Sequence, residues 1–318
     1  MMYGNNYLKN STFARPSPGS TFFKQFYMNY IGEIAAIGVA VCWTMSALFF
    51  EKAGRQIGSL SVNIIRLVWA FVLLGLTLLV TKQVFIPTDA TAYQWFWLGL
   101  SGIVGLFLGD LFLFKSYLMI GSRTSTLIMS SVPMLTATIG WFFLDEKLAP
   151  MSILAIVVSI SGIVIAIADK RLKINAPKKG LLYAFGGAMG QAIGLILSKK
   201  GLGDYDAIAA TQIRIFFGLI SFIILITALR RWPSIVNALK NRKGVESVSI
   251  GAFFGPFVGI TLSLFAIQHT QTGIASTFMA LVPVLIIVPS AIMFKEKITA
   301  HHVIGAIISI IGVSLFFF

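Results

Sequence analysis

The chain has 318 residues, of which 57% are hydrophobic and only 11% charged, with a mean hydropathy of +0.88. A soluble domain carries about 25% charged residues, so this chain lacks the polar surface to cover a water-exposed body of its size. The net charge of +14 does not point to nucleic acid, because the Lys and Arg residues flank long apolar runs, where lipid headgroups and topological charge bias account for them.

Residues 1–29 are rich in Ser, Asn, Gly and Pro and hold no apolar core long enough for a signal peptide. They are expected to be disordered. Met28 opens "MNYIGEIAAIGVAVCWTM", which reads as the natural beginning of a first membrane helix, so the segment before it is expected to be an over-extended start. Cys42 lies in that first apolar run and is the only cysteine, so neither an intrachain disulfide nor a thiolate metal cluster is available.

From there the apolar runs are mostly about 18–23 residues, enough to cross ~30 Å of hydrocarbon at ~1.5 Å per residue. Spans are predicted near 33–50, 60–81, 95–118, 122–144, 150–168, 180–198, 207–229, 247–268, 273–294 and 300–318. The runs are continuously apolar, not alternating, which favours helices over a strand barrel. The predicted fold class is therefore an all-α polytopic membrane protein.

The spans repeat. Shifted by 148, Gly32 falls on Gly180, Lys52 on Lys200 and Arg66 on Arg214. Shifted by 150, Gly105 meets Gly255, Gly109 meets Gly259, Pro133 meets Pro283, Glu146-Lys147 meets Glu296-Lys297, and Gly162 meets Gly312. The halves are predicted as 30–172 and 178–318, with five crossings each. An odd number of crossings leaves the second half inverted relative to the first, so ten helices form two inverted five-helix repeats. Inverted repeats are typical of secondary transporters, whose substrate site lies near mid-membrane between the repeats.

Each half also carries an intramembrane proline, a Glu-Lys pair at the end of that helix, and an apolar helix with a glycine: "P…DEK…SISGIVI" and "P…KEK…SIIGVSL". In these features, and in outline in the Trp43-to-Lys52 spacing, residues 30–318 resemble the EamA-like group of the drug/metabolite transporter superfamily. The resemblance implies a ten-helix exporter or exchanger of small metabolites, without a bound cofactor, integral to a bacterial inner (plasma) membrane. It also implies that the helices loosened by Pro133 and Pro283 line the substrate path.

Charges inside spans cost about 2.5–3.5 kcal/mol each on insertion scales and mark functional candidates. Asp110 is the sharpest case, because the second half has Ile260 at that position and the shared scaffold does not require an acid. Proton coupling is its expected role, against a carboxylate that merely pairs with a neighbouring helix. Lys115, about 140° further round the helix, is an intramembrane charge close enough to the span end to snorkel. Arg66 and Arg214 are repeat-equivalent. Their stems can reach headgroups on opposite faces, or, facing a cavity, the two residues bind anionic groups or gate each side. Trp43 and Gln191 hold equivalent mid-helix positions and either line a central cavity or pack between helices. Gly99, Gly102, Gly105 and Gly109, like Gly251, Gly255 and Gly259, form stripes that let backbones approach closely.

The expected function is secondary transport of a small metabolite (amino-acid-like, nucleoside-like or amphipathic) by alternating access, directed outward and coupled to protons. A lipid or polyprenyl-carrier flippase on the same scaffold is the alternative. An intramembrane enzyme is the remote one, since His269 has no acid or nucleophile motif beside it and His301 and His302 sit ~100° apart on a helix. Lys and Arg concentrate in the loops 169–179 and 230–246, which places both termini outside by the charge rule, whereas the family resemblance implies cytoplasmic termini.

Overall fold

The computed structural model describes residues 30–129, 131–167, 177–294 and 300–315. The features below belong to one compact unit, Gly32–Phe318. The expectations for residues 1–29, for the 169–176 part of the basic loop 169–179, and for Glu296-Lys297 lie outside the described residues. Regular structure among the described residues is entirely helical.

Helices α1 (Ile31–Ile57) and α2 (Ser59–Lys82) are separated by Gly58 alone. Its φ of 80° is a backbone conformation that glycine adopts freely and a side chain resists. Helix α2 stops where Gln83 turns left-handed and donates its N–H to the Leu79 carbonyl. Helix α3 (Ala92–Ser101) starts with a reciprocal cap: Thr91 Oγ1 accepts from the Gln94 N–H, and Gln94 Oε1 accepts from the Thr91 N–H. It passes through a π-helical stretch, Gly102–Gly109, into α4 (Asp110–Met129).

Within α4 the chain reverses. Ser116 Oγ donates to Ser125 Oγ at 2.8 Å, whereas nine residues of straight helix would separate them by roughly 13.5 Å. The third and fourth predicted spans therefore fold back on each other between these serines. Next come α5 (Val132–Phe143), α6 (Pro150–Ile167), α7 (Lys178–Leu202) and α8 (Ala207–Ala228). Asp206 caps α8 by accepting from the Ala209 N–H. The short α9 (Trp232–Leu239) leads to α10 (Arg242–Ala252), a second π-helical stretch at Phe253–Gly259, and α11 (Ile260–His269). The chain closes with α12 (Thr272–Met279), α13 (Val282–Leu285), α14 (Ile287–Phe294) and α15 (Ala300–Ser314).

Among the described residues, six helices are long and apolar enough to cross a membrane: Ile31–Ile57, Ser59–Lys82, Ala92–Ile120, Lys178–Leu202, Ala207–Ala228 and Arg242–His269. The remaining apolar helices are shorter. The reason is clearest around the two repeated prolines, each of which is expected from sequence to kink or loosen its helix. Pro133 and Pro283 instead stand in the first turn of α5 and α13. There the missing N–H removes no helical hydrogen bond, so each predicted span is a broken helix and not a bent one.

Glycines set the packing. On α7, Gly190 and Gly194 press against Gly109 and Gly105, and Gly187 against Leu113. In the other half, Gly251, Gly255 and Gly259 face Phe50, Ser46 and Trp43 of α1. The third predicted span thus packs on the sixth, and its counterpart, the eighth, packs on the first. Helices α2 and α8 pair, as do α5 and α12, and the most extensive pairing joins α6 to α15. In that last pair the contacts are reciprocal: a Cβ on Gly162 would overlap the Ser309 backbone, and one on Gly312 would overlap the Ser159 backbone.

Candidate functional site

A cavity of about 150 Å³ lies between α1, α2, the two π-containing spans, α7, α8 and α12. One water needs roughly 10–15 Å³ of such space, so the cavity has room for a small solute. Its apolar wall includes Phe50, Leu106, Phe114 and Met279, and the charged side chains that line it are Arg66, Asp110 and Arg214. Both π-helical stretches border it and end at Gly109 and Gly259. Such widened turns are frequent at functional sites, because they re-aim side chains without ending the helix.

Arg66 is 3% exposed and Arg214 4% exposed, so neither guanidinium snorkels to headgroups as their positions in sequence allow. Arg66 Nη2 donates to Asp110 Oδ2 at 2.5 Å and its Nε donates to Asn63 Oδ1 at 3.1 Å. Its Cζ lies 4.9 Å from the Phe114 ring centroid and 5.7 Å from that of Phe50. Burying both ions of such a pair costs several kcal/mol each, which their attraction only about offsets. The pair therefore fixes the position of charge in the cavity and adds little net stability.

Arg214 is placed differently. Its Nε and Nη1 are buried and have no hydrogen-bond partner among the described residues. The Asp110 carboxylate, already bonded to Arg66, also interacts with it electrostatically. An unsatisfied buried donor costs about 1–3 kcal/mol, and more when it is charged.

Trp43 and Gln191 line the cavity with these residues. Pro133 is buried but does not line it; its neighbour Val132 and, in the other half, Val282 do. Lys115 stands apart on the exposed face, its Nζ 4.6 Å from the Tyr183 ring centroid. Sequence reading passes over Asn63, Phe50, Phe114 and Tyr117. Asn63 had a visible signal, a polar residue one helical turn from Arg66 inside an apolar run. The aromatics had none, because they are indistinguishable in sequence from lipid-facing phenylalanines.

A polar cluster joins the ends of α1, α5, α7 and α12. Glu146 accepts from Lys199 Nζ at 2.8 Å and from the N–H and hydroxyl of Thr272, both at 3.0 Å. Lys199 also donates to the Thr270 carbonyl at 2.6 Å, and Thr270 Oγ1 donates to Glu33 at 2.7 Å. Nearby, Tyr205 donates to Asp89 at 2.7 Å, and partial burial, aided by this bond, raises the phenol's pKa. Among the described residues no cluster of three or more His, Cys, Asp or Glu is placed to hold a metal ion.

The apolar helices define an integral membrane protein that encloses a charged, solute-sized cavity. The chain belongs to the EamA-like transporter family, which matches residues 30–168 and again 178–318; this places it in the drug/metabolite transporter superfamily. It is 27% identical over 195 residues to an uncharacterized transporter of Clostridium kluyveri, covering 60% of this chain and 62% of that one. It is 24% identical over 215 residues to the uncharacterized transporter YyaM of Bacillus subtilis, covering 67% and 70%. The match thus spans less than two thirds of the C. kluyveri protein. A solved crystal structure, 13% identical, superposes with a TM-score of 0.70 over 91% of this chain and 96% of its own, a likeness of fold.

Proposed function

We propose that this protein is a secondary transporter that exports a small organic solute by alternating access, coupled to protons through Asp110. The observation that carries the reading is the central cavity, where Arg66, Arg214, Trp43 and Gln191, repeat-equivalent in two pairs, meet around one carboxylate. The architecture we infer is ten helices in two inverted five-helix repeats, 30–172 and 178–318. The reciprocal contacts Gly162–Ser309 and Gly312–Ser159 support it, because a two-fold relation between halves produces such pairs. The Glu146–Lys199–Thr272 cluster is then a closed gate on one side, and the breaks at Pro133 and Pro283 let the gate-bearing helices swing. Protonating Asp110 removes the charge that holds Arg66, which gives coupling a physical route. The protein works in a lipid bilayer, and a bacterial inner membrane suits it.

The test is proton movement in proteoliposomes, wild type against Asp110→Asn, across amino acids, nucleosides, organic cations and lipids. A solute that drives proton flux in the wild type and not in the variant is the expected result. Equal transport by the variant would remove Asp110 from the coupling. Lipid movement with no soluble substrate would replace this reading by a flippase.

A further inference from the structure

The structure assigns Arg214 as the anchor for the carboxylate of a singly charged solute whose apolar body lies along the aromatic wall of the cavity; this rests on the cavity being the transport site. The two repeat-equivalent arginines have unequal surroundings. Arg66 is satisfied by Asn63 and Asp110. At the matching positions around Arg214 the chain has Thr211 in place of Asn63 and Ile260 in place of Asp110. Thr211 spends its hydroxyl on the Ala207 carbonyl at 2.7 Å, and Ile260 offers no acceptor. Two guanidinium nitrogens of Arg214, a residue that lines the cavity, are therefore buried without a partner among the described residues.

Charge fixes the class of ligand. With Asp110 ionised, the described lining side chains carry two positive charges and one negative, so one anionic charge neutralises the site in that state. A dianionic phosphate would overshoot it, and a cation would add to the excess. A carboxylate accepts from the unpaired donors and makes the charge-assisted bonds that arginine favours. Phe50, Phe114, Leu106 and Met279 suit an aromatic or aliphatic remainder. The acid comes either from a soluble metabolite or from a free fatty acid, and chain length separates the two.

The test uses the full-length purified protein in nanodiscs, titrated with matched carboxylates and amides: acetate and acetamide, benzoate and benzamide, octanoate and octanamide. Benzylammonium and phenyl phosphate serve as charge controls. Tryptophan fluorescence, with Trp43 in the cavity wall, and thermal shift report binding. At least one carboxylate is expected to bind at least tenfold more tightly than its amide. That gap should vanish in Arg214→Gln and survive in part in Arg214→Lys. A preference for benzoate or acetate identifies a soluble acid, and one that appears only at octanoate a lipid-derived acid. Amides or benzylammonium binding as well as carboxylates, phenyl phosphate binding better than benzoate, a gap that persists in Arg214→Gln, or silence across the series each overturns the assignment. If Arg214→Gln does not fold, the wild-type gap and Arg214→Lys decide. Neutral solutes transported with no carboxylate preference would sink this inference and leave the transport reading intact. Carboxylates bound but never moved would do the reverse.

Discussion

At the scale of single residues, the Arg66–Asp110 pair sets the terms. Its value lies in being complete, because removing one partner leaves an uncompensated buried ion at a cost of about 3–5 kcal/mol. Asp110→Ala is therefore expected to lower thermal stability by that order in detergent, read by the unfolding temperature. The double variant Arg66→Met/Asp110→Leu should recover most of the loss, since well-packed apolar side chains can replace a buried pair at little net cost. A double variant no more stable than the single one would show that the pair contributes more than mutual compensation. Asp110 and Arg66 were each conspicuous in sequence as charges in apolar runs. Their bond was not, because 44 residues separate them and nothing local specifies which two spans meet.

At the scale of elements, close helix approach depends on missing side chains. A Cβ on Gly102 would overlap the carbonyl of Arg214, so Gly102→Ala must push α8 away and displace the guanidinium with it. A Cβ on Gly38 would stand 3.7 Å from Leu262 Cδ2, an ordinary contact. Gly102→Ala is expected to cost about 1–3 kcal/mol by overpacking and to weaken any Arg214-dependent binding, while Gly38→Ala is neutral on both counts. Gly162→Ala should likewise destabilise the α6–α15 crossing, where the overlap is with backbone and a rotamer change gives no relief. Unfolding curves of the three variants side by side make the comparison. The stripe spacing Gly99, Gly102, Gly105, Gly109 announced a packing face in sequence. It did not announce that this face would include a π-helical stretch or that α7 would supply the facing glycines.

At the scale of the whole molecule, the polar cluster around Glu146 ties together the ends of α1, α5, α7 and α12. Lys199→Met removes the cation that bridges Glu146 and the Thr270 carbonyl. It is expected to raise access to the cavity from that end. The measurement is labelling by a membrane-impermeant maleimide of Ser263→Cys in a Cys42→Ser background, since Ser263 lines the cavity and Cys42 is the sole native thiol. Labelling from that side should accelerate several-fold over the otherwise unchanged chain. No acceleration would show that the cluster braces the helix ends without gating them.

Much of this protein was legible from its sequence because the signals are local. An apolar run longer than the bilayer core must become a membrane helix, so the class of protein followed from run length and charge content. The doubling of Arg66 in Arg214 and of Pro133 in Pro283 pointed to two related halves, and a charge among apolar residues marks itself. What only the tertiary structure decided depends on partners distant in the chain. It turned both arginines inward instead of toward headgroups and joined one of them to Asp110. It left the other with donors unpaired among the described residues, because Thr211 and Ile260 stand where Asn63 and Asp110 stand in the first half. A side chain's cost or usefulness inside a membrane is set by what it faces, and that is a property of the packed helices alone.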